Sequence, residues 1–444
     1  MKNDISLKPT TGSKNDSFVG VKITDNKVVF HYPEACNFPE ADSSGNIIDE
    51  KGAYKKILKI IKTLCLTKKS SSNDVINTRS DSEYETPILS MLWLINDYLT
   101  YHQYINREKN FLKDTKGKIS WKKTMRQIPF VQDTRAVYPV VFSVHYLQKD
   151  DIIVDIYKYC VSDAINKIGW IYNLHLDDYL KSKKYKFNES TKKMFLGVLR
   201  IELNKTFEDV KKIRLKHMIN VIKGLDSEAL ETNQYVLGVD SYEYVFEAML
   251  RNMLSDVERI KDFYPSAEWY VIQDDQTKNS SNLRPDIVML DKNNKKAYIL
   301  DAKYYRYGIT AQRSDLPDST SIQKQITYSE YLKNSEYLNK KLKGYSVYSA
   351  FVMPYNKSKN SFNIYKNLAI VGIATAPWDN SDAKSKSINN KVIGLLIDLE
   401  YLIDNWSLYN LDAVETLSNL IIQATRLNKF NKDEINDINN EANK

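Results

Sequence analysis

Two short apolar runs joined by a polar turn constrain this chain more than any other feature. The segment reads Arg284-Pro-Asp-Ile-Val-Met-Leu290, then Asp291-Lys-Asn-Asn-Lys-Lys296, then Ala297-Tyr-Ile-Leu-Asp-Ala-Lys-Tyr304. β-Prone residues on both sides of an Asn-containing turn predict a hairpin. The side-chain period of two puts Ile299, Asp301 and Lys303 on one face of the second strand, and Tyr298, Leu300 and Ala302 on the other. A carboxylate and an ammonium group then emerge side by side, with Asp286 available from the neighbouring strand. Two hard carboxylates can hold Mg²⁺, which polarises a phosphate and acidifies a bound water, while a lysine offsets developing negative charge. The grouping suits phosphodiester hydrolysis.

An Asp-x-Lys tripeptide alone carries almost no information, and the chain supplies its own control. Asp382-Ala383-Lys384 is the identical tripeptide in a polar loop, and Asp25/Lys27, Asp114/Lys116 and Asp209/Lys211 fit the bare spacing. Residues 301–303 differ by context: the upstream Pro285-Asp286, the hairpin and the apolar strand. The bland alternative is a surface salt bridge on an ordinary strand.

Flanking segments extend the pattern. Tyr242 to Leu254 reads as an amphipathic helix with Phe246, Met249, Leu250 and Met253 as its apolar stripe. Glu247 lies beside that stripe, where it can point at a metal, and Glu243 one turn earlier competes for the role. Downstream, Ser321 to Leu332 runs helically after Pro317 and sets Gln325 and Tyr328 on one face, able to orient the lysine or a phosphate. A buried tyrosine and a surface glutamine are the plainer reading. With strands at 268–272 and 347–353, the order of elements predicts an α/β sheet with helices packed on its faces.

This arrangement resembles the PD-(D/E)xK nuclease superfamily. Further motifs carry the resemblance into one branch: Phe18-Val-Gly-Val21, Gly117-Lys-Ile-Ser-Trp-Lys-Lys-Thr124, Tyr159-Cys160 leading to Ile168-Gly-Trp170, then Leu316-Pro317, Ile322-Gln-Lys-Gln325 and Tyr328. In that order, over roughly residues 18–410, they look like the LlaJI family of restriction endonucleases, related to McrC subunits. The resemblance implies a nuclease centre of Glu247, Asp286, Asp301 and Lys303, supported by Gln325 and Tyr328. In that centre Asp286, Asp301, the Ala302 carbonyl and Glu247, directly or through water, surround Mg²⁺, for which Mn²⁺ can substitute. It also implies double-stranded DNA as substrate and a McrB-like AAA+ GTPase as partner.

Composition sets outer bounds. The 444 residues, 42% hydrophobic and 27% charged, describe an ordinary globular chain with length for two or three domains. No run of ~18 apolar residues exists, so no membrane span is expected. The opening Met1-Lys-Asn-Asp lacks a signal-peptide core, and a cytoplasmic location is expected. Cys36, Cys65 and Cys160 are odd in number and scattered, which argues against disulfides and structural zinc. The five histidines show no metal-ligand spacing, and His102, continuing an apolar stripe, reads as partly buried. A net charge of +8 favours phosphate contact, yet abundant Lys, Asn, Ile and Tyr also follow from an AT-rich genome, so charge alone identifies no partner. No phosphate-binding glycine loop is present, so nucleotide hydrolysis is expected from another chain.

The expected organisation is a disordered tail at 1–17, a mixed α/β docking or DNA-contacting domain at 18–230, a PD-(D/E)xK domain with helices on a mixed central sheet at 231–430, and a frayed tail at 431–444. Within it, 18–32 reads as a hairpin, 52–66 as a helix, 68–82 as a polar break, and Thr86-Pro87 as the start of a helix reaching about Tyr104. Basic residues from Lys116 to Arg126 surround Trp121, a patch for DNA or a partner, or else a solvated loop with one anchoring Trp. Ser190 to Ile222 reads as a core helix or helix pair striped by Met194, Val198, Ile201, Phe207, Val210, Ile213, Met218 and Val221. A late strand at 391–398 and a helix at 401–427 follow a polar loop at 376–390. Two rival functions stand beside restriction: a non-cleaving accessory subunit that stimulates an AAA+ GTPase, and a free-standing repair or recombination nuclease.

Overall fold

The computed structural model describes residues 4–13, 16–24, 27–38, 50–64, 88–102, 104, 106–133, 135–149, 152–172, 174–180, 187–224, 235–265, 268–271, 276–279, 283–334, 342–362, 364, 366–375, 391–427, 435 and 437–439. The breaks expected at 68–82 and 376–390, the cap at Thr86-Pro87, Cys65 and the control tripeptide at 382–384 lie outside the described residues. The chain divides into two compact units. One is discontinuous, Met1–Arg79 with Val236–Lys444, and the other, Ser80–Tyr235, is inserted between its parts.

The discontinuous unit opens with β1 (Asp4–Thr10), β2 (Val19–Thr24), β3 (Lys27–Pro33) and α1 (Glu50–Thr63). β2 and β3 form the expected hairpin, Thr24 opposite Lys27. Residues 4–10, placed by sequence in a disordered tail, instead pair in parallel with β3. The inserted unit holds α2 (Ile88–Tyr101), β4 (Asn106–Leu112), β5 (Lys118–Ile119), α3 (Trp121–Thr124), β6 (Phe130–Gln132), β7 (Arg135–Val137), β8 (Ser143–Lys149), α4 (Ile152–Ile168), α5 (Glu189–Lys205) and α6 (Asp209–Lys223). The chain then returns through β9 (Tyr235–Val239), which completes the sheet β1-β3-β2-β9. A Cβ on Gly238 would fall 2.4 Å from the Val19 carbonyl oxygen, so only glycine permits this approach.

The remaining elements of the discontinuous unit are α7 (Tyr242–Leu254), β10 (Glu268–Val271), β11 (Gln276–Asn279), β12 (Ile287–Asp291), β13 (Lys296–Ala302), α8 (Tyr307–Thr310), α9 (Ser319–Asn334), β14 (Ser346–Tyr355), β15 (Leu368–Thr375), β16 (Lys391–Asp398), α10 (Leu399–Asn405) and α11 (Leu411–Arg426). Its central sheet is mixed and five-stranded, ordered β12-β13-β14-β16-β15, with β13-β14-β16 parallel and both outer pairs antiparallel. A mixed sheet with packed helices is the expected fold class. Among the described residues β10 is not part of it and pairs with β11, a strand too short and polar to stand out in the sequence. The helix expected at 401–427 is two helices, because Asp398 and Asn410 each cap a fresh start, accepting from the Tyr401 and Ala413 amides.

The central strands are buried on both faces, as a parallel sheet between helices requires. Ile287, Val288, Met289, Tyr298, Ile299, Leu300, Val352 and Leu395 have no exposed surface. The α7 stripe, Phe246, Met249, Leu250 and Met253, is likewise fully buried, each side chain contributing about 1.5–3 kcal/mol. Residues 18–64 belong with this unit, not with 88–224. Glu34 makes a two-pronged ion pair with Arg306, at 3.0 Å for both contacts. Lys56 and Lys59 on α1 pair with Glu400 and Asp404 on α10. Near the C-terminus, expected to fray, Asn439 is buried and its amide side chain bonds both N–H and C=O of Ile370.

The inserted unit is built around α2, α4 and α6. Arg214 bonds both oxygens of Asp97 at 2.8 Å, Tyr157 donates to the same carboxylate at 2.9 Å, and the Tyr104 ring lies 4.6 Å from the guanidinium. On α4, Lys167 and Asp163 form a buried ion pair at 2.8 Å. His102 is exposed, contrary to the sequence reading, because α2 ends there with a left-handed residue (φ 57°). The stripe on 190–222 forms the expected helix pair but is not all core. Met218 and Val221 are buried, while Met194, Ile201, Val210 and Ile213 are exposed and Phe207 is 89% exposed. Trp121 is largely exposed as well, and Met125, Ile128, Phe130 and Val131 join it.

Candidate active site

The expected β12–β13 hairpin forms, with Ile287 opposite Leu300, so Asp286 at its mouth stands across from Asp301. Asp286 Oδ2 accepts the Ala302 N–H at 2.8 Å, which fixes its carboxyl against the end of β13. Asp301 Oδ2 lies 2.7 Å from Lys303 Nζ, and both side chains are largely buried. The Lys303 main chain is held too, its N–H donating to the Val352 carbonyl at 2.9 Å. After it, Tyr304 packs against Tyr242 and Phe246 and so locks α7 over the strand. A Cβ on Gly308 would lie 2.2 Å from the Pro354 carbonyl oxygen, so glycine is what lets α8 press onto β14.

Of the two candidate glutamates, Glu243 is exposed, whereas Glu247 feels the charges of Asp301 and Lys303. The structure thus brings Glu247, Asp286, Asp301 and Lys303 into one electrostatic group. Burial pushes the Asp286 carboxyl well above the usual carboxylate range, and the Asp301 and Glu247 charges push it further. Burial also raises Glu247, against the Arg251 guanidinium that lowers it and with the Asp301 charge. Burial pulls the Lys303 ammonium down, but the Asp301 carboxylate outweighs it and leaves Lys303 raised. A lysine so held stays protonated at neutral pH.

The supporting residues are placed differently from each other. Tyr328 is buried, its hydroxyl donating to the Arg284 carbonyl at 3.0 Å, so it braces the start of the hairpin instead of Lys303. Burial, then the Asp301 and Asp286 charges, push its phenol up to about 12. Gln325 is fully buried and neither atom of its amide finds a hydrogen-bond partner, a costly state that marks a group prepared for something further. Its own carbonyl accepts from Ser349 at 3.3 Å.

Among the described residues, no three His, Cys, Asp or Glu side chains stand together as a metal-holding set. Mg²⁺ is often held by only one or two carboxylates and completes its shell with water. Asp286 and Asp301, hydrogen-bonded to one another and mutually repelling when both ionised, fit that donor set, since a divalent cation would relieve the repulsion. Arg251 is the residue that sequence reasoning missed. Its only signal was the i,i+4 spacing from Glu247, which commonly denotes a solvated helix face.

Comparison with known proteins adds two findings. A solved half-complex from the tetradecameric assembly of Thermococcus gammatolerans McrB AAA+ hexamers with bound McrC is similar at 13% identity and a TM-score of 0.37, over 88% of this chain and 81% of that one. No curated protein matches the sequence. The sequence model of the LlaJI restriction endonuclease family matches residues 18–382, and the chain belongs to that family.

Proposed function

We propose that this chain is a Mg²⁺-dependent endonuclease that hydrolyses double-stranded DNA, the cleaving subunit of a cytoplasmic restriction system that defends against phage. The observation that carries the reading is the juxtaposition of Asp286, Asp301 and Lys303 at the end of a rigid, buried hairpin. Asp286 and Asp301 would hold the metal, which supplies a polarised phosphate and an acidified water when bound. Ala302 gives its N–H to Asp286 and is the expected source of a further carbonyl ligand. Lys303, kept protonated by Asp301, would offset the charge that builds on the phosphate oxygens. Gln325 supplies a buried, uncommitted amide one turn before Tyr328 on α9, and Tyr328 keeps the hairpin mouth in place.

The family resemblance adds a McrB-like AAA+ GTPase partner, and the inserted unit is the part suited to dock it. Its exposed Ile128, Phe130 and Val131 stand in a stretch that also carries Lys122, Lys123 and Arg126. The same surface is what favours the second reading, a non-cleaving subunit that only stimulates the motor. Plasmid cleavage in Mg²⁺, with and without the neighbouring GTPase and GTP, separates them. We expect cleavage by the complete system to fall at least a thousandfold in Asp301→Ala, the scale on which loss of a preorganised charge acts, with folding retained. Cleavage by that variant at the wild-type rate would sink the site assignment. No cleavage by the wild type, with GTPase stimulation intact, would install the accessory reading.

A further inference from the structure

Arg251 lies on α7 one turn beyond Glu247, and its guanidinium makes two bonds that lead to different elements. Nη2 donates to Glu247 Oε1, while Nε donates to the main-chain carbonyl of Asp286 at 3.0 Å. The second bond separates it from the ordinary i,i+4 helix pair, which ends on the helix itself. Asp286 is the residue whose carboxyl is tied to Ala302 and which feels both Asp301 and Glu247. One planar fork therefore spans from the helix carboxylate to the backbone of the strand carboxylate. Nearby, Ser255 on the same side of α7 donates to the Val288 carbonyl, so the helix is stitched to β12 at two successive points.

We propose that Arg251 is a positioning residue of the nuclease centre, setting Glu247 and Asp286 at a fixed separation for a divalent cation; this rests on the metal-dependent reading above. Glu247 is desolvated and faces the negative charge of Asp301, so without a cation of its own it would turn away. Arg251 binds one oxygen, Oε1, and leaves the other free to reach the metal or a water on it. Side-chain orientation by such outer partners sets metal affinity as strongly as many direct ligands do. Lysine cannot replace it, since an ammonium is a single point charge where two divergent N–H directions are used.

The test is Mn²⁺ affinity of the full-length protein, followed by electron paramagnetic resonance of the free ion. We expect Arg251→Gln to weaken Mn²⁺ binding about tenfold or more, and Arg251→Lys to fall between it and the wild type. Because the two residues share one contact and Arg251 also holds the Asp286 backbone, Glu247→Gln/Arg251→Gln is expected to bind more weakly than Glu247→Gln alone, but by less than the product of the two single losses. Circular dichroism of Arg251→Lys guards against a folding defect. Undiminished or tighter Mn²⁺ binding by Arg251→Gln would overturn the proposal and make the arginine a competitor of the metal, and losses that multiply independently would overturn it too. Asp301→Asn tells the two levels apart. If it leaves Mn²⁺ affinity unchanged, the metal reading fails and the proposal with it, whereas loss in Asp301→Asn with none in Arg251→Gln removes only the role of the arginine.

Discussion

The two units break the usual rule of polar outside and apolar inside in opposite ways. In the discontinuous unit, carboxylates that repel each other are packed at the end of a hairpin whose central side chains, Ile287 to Met289 and Ala297 to Leu300, are fully buried. In the inserted unit, buried charge is fully paired, as Asp97 with Arg214 and Tyr157 show, and the violation sits on the outside, in Phe207, Ile128 and Val131. Departures from local consistency tend to mark function. The first kind stores electrostatic strain that a cation can release. The second leaves apolar surface that another macromolecule can cover. On the proposed function, catalysis and docking would leave different physical signatures, one in each unit.

Three measurements bear on that contrast. The largest effect is expected from Asp97→Ala. It leaves Arg214 without its counter-charge and Tyr157 without its acceptor, and removal of one partner from a buried pair costs about 3–5 kcal/mol. Urea unfolding followed by tryptophan fluorescence is expected to show the inserted unit melting early, with Mn²⁺ binding by the other unit preserved. A cost below about 1 kcal/mol would mean that its interior is not held by paired charge, and the contrast would fail. Phe207→Ser probes the outside. Substitution at an uncovered surface position is expected to change stability by no more than about 0.5 kcal/mol and to leave intrinsic cleavage alone. A severe loss would show Phe207 covered within the folded chain.

The smallest effect concerns pH. His217 stacks on Trp93 and bonds Ser90, and burial lowers its imidazole below the ordinary value, against the Asp97 charge that raises it. The folded state therefore prefers the neutral ring, while the unfolded chain takes up a proton near pH ~6.5. Stability is full above that value and declines as pH falls through it toward the folded value. Urea midpoints between roughly pH 5 and 8 are expected to slope downward on the acid side, less so in His217→Phe, which keeps the stacking but cannot titrate. Identical slopes would place the acid sensitivity elsewhere, His31 being the comparable buried imidazole of the discontinuous unit.

Local features were legible in the sequence and non-local ones were not. Alternation over 297–302 and an Asn-containing turn sufficed for the hairpin and for bringing Asp286 near Asp301, while the register came from the structure. The apolar stripe on α7 put Glu247 beside the sheet but left Glu243 competing, and the exposure of Glu243 in the structure separates the two. Sheet membership of Glu268–Val271 depended on a four-residue partner with no pattern of its own. The grouping of residues 18–64 with the C-terminal half depended on ion pairs such as Glu34–Arg306, between residues far apart in sequence. An amphipathic stripe on 190–222 announces an apolar face, and nothing in its spacing says whether the fold covers that face. Arg251 was hidden for a related reason: its telling bond goes to a backbone carbonyl 35 residues away.

The discontinuous layout also bears on how the protein is made. Lys56 meets Glu400 across 344 residues, and Glu34 meets Arg306 across 272. At about 5–20 residues per second, the opening segment waits on the order of twenty seconds to a minute on the ribosome before these partners emerge. β13 gains β14 and β16 on the same late schedule, since β16 closes only at Asp398. On the proposed nuclease reading, a nascent chain would lack its complete central sheet until β16 has been made.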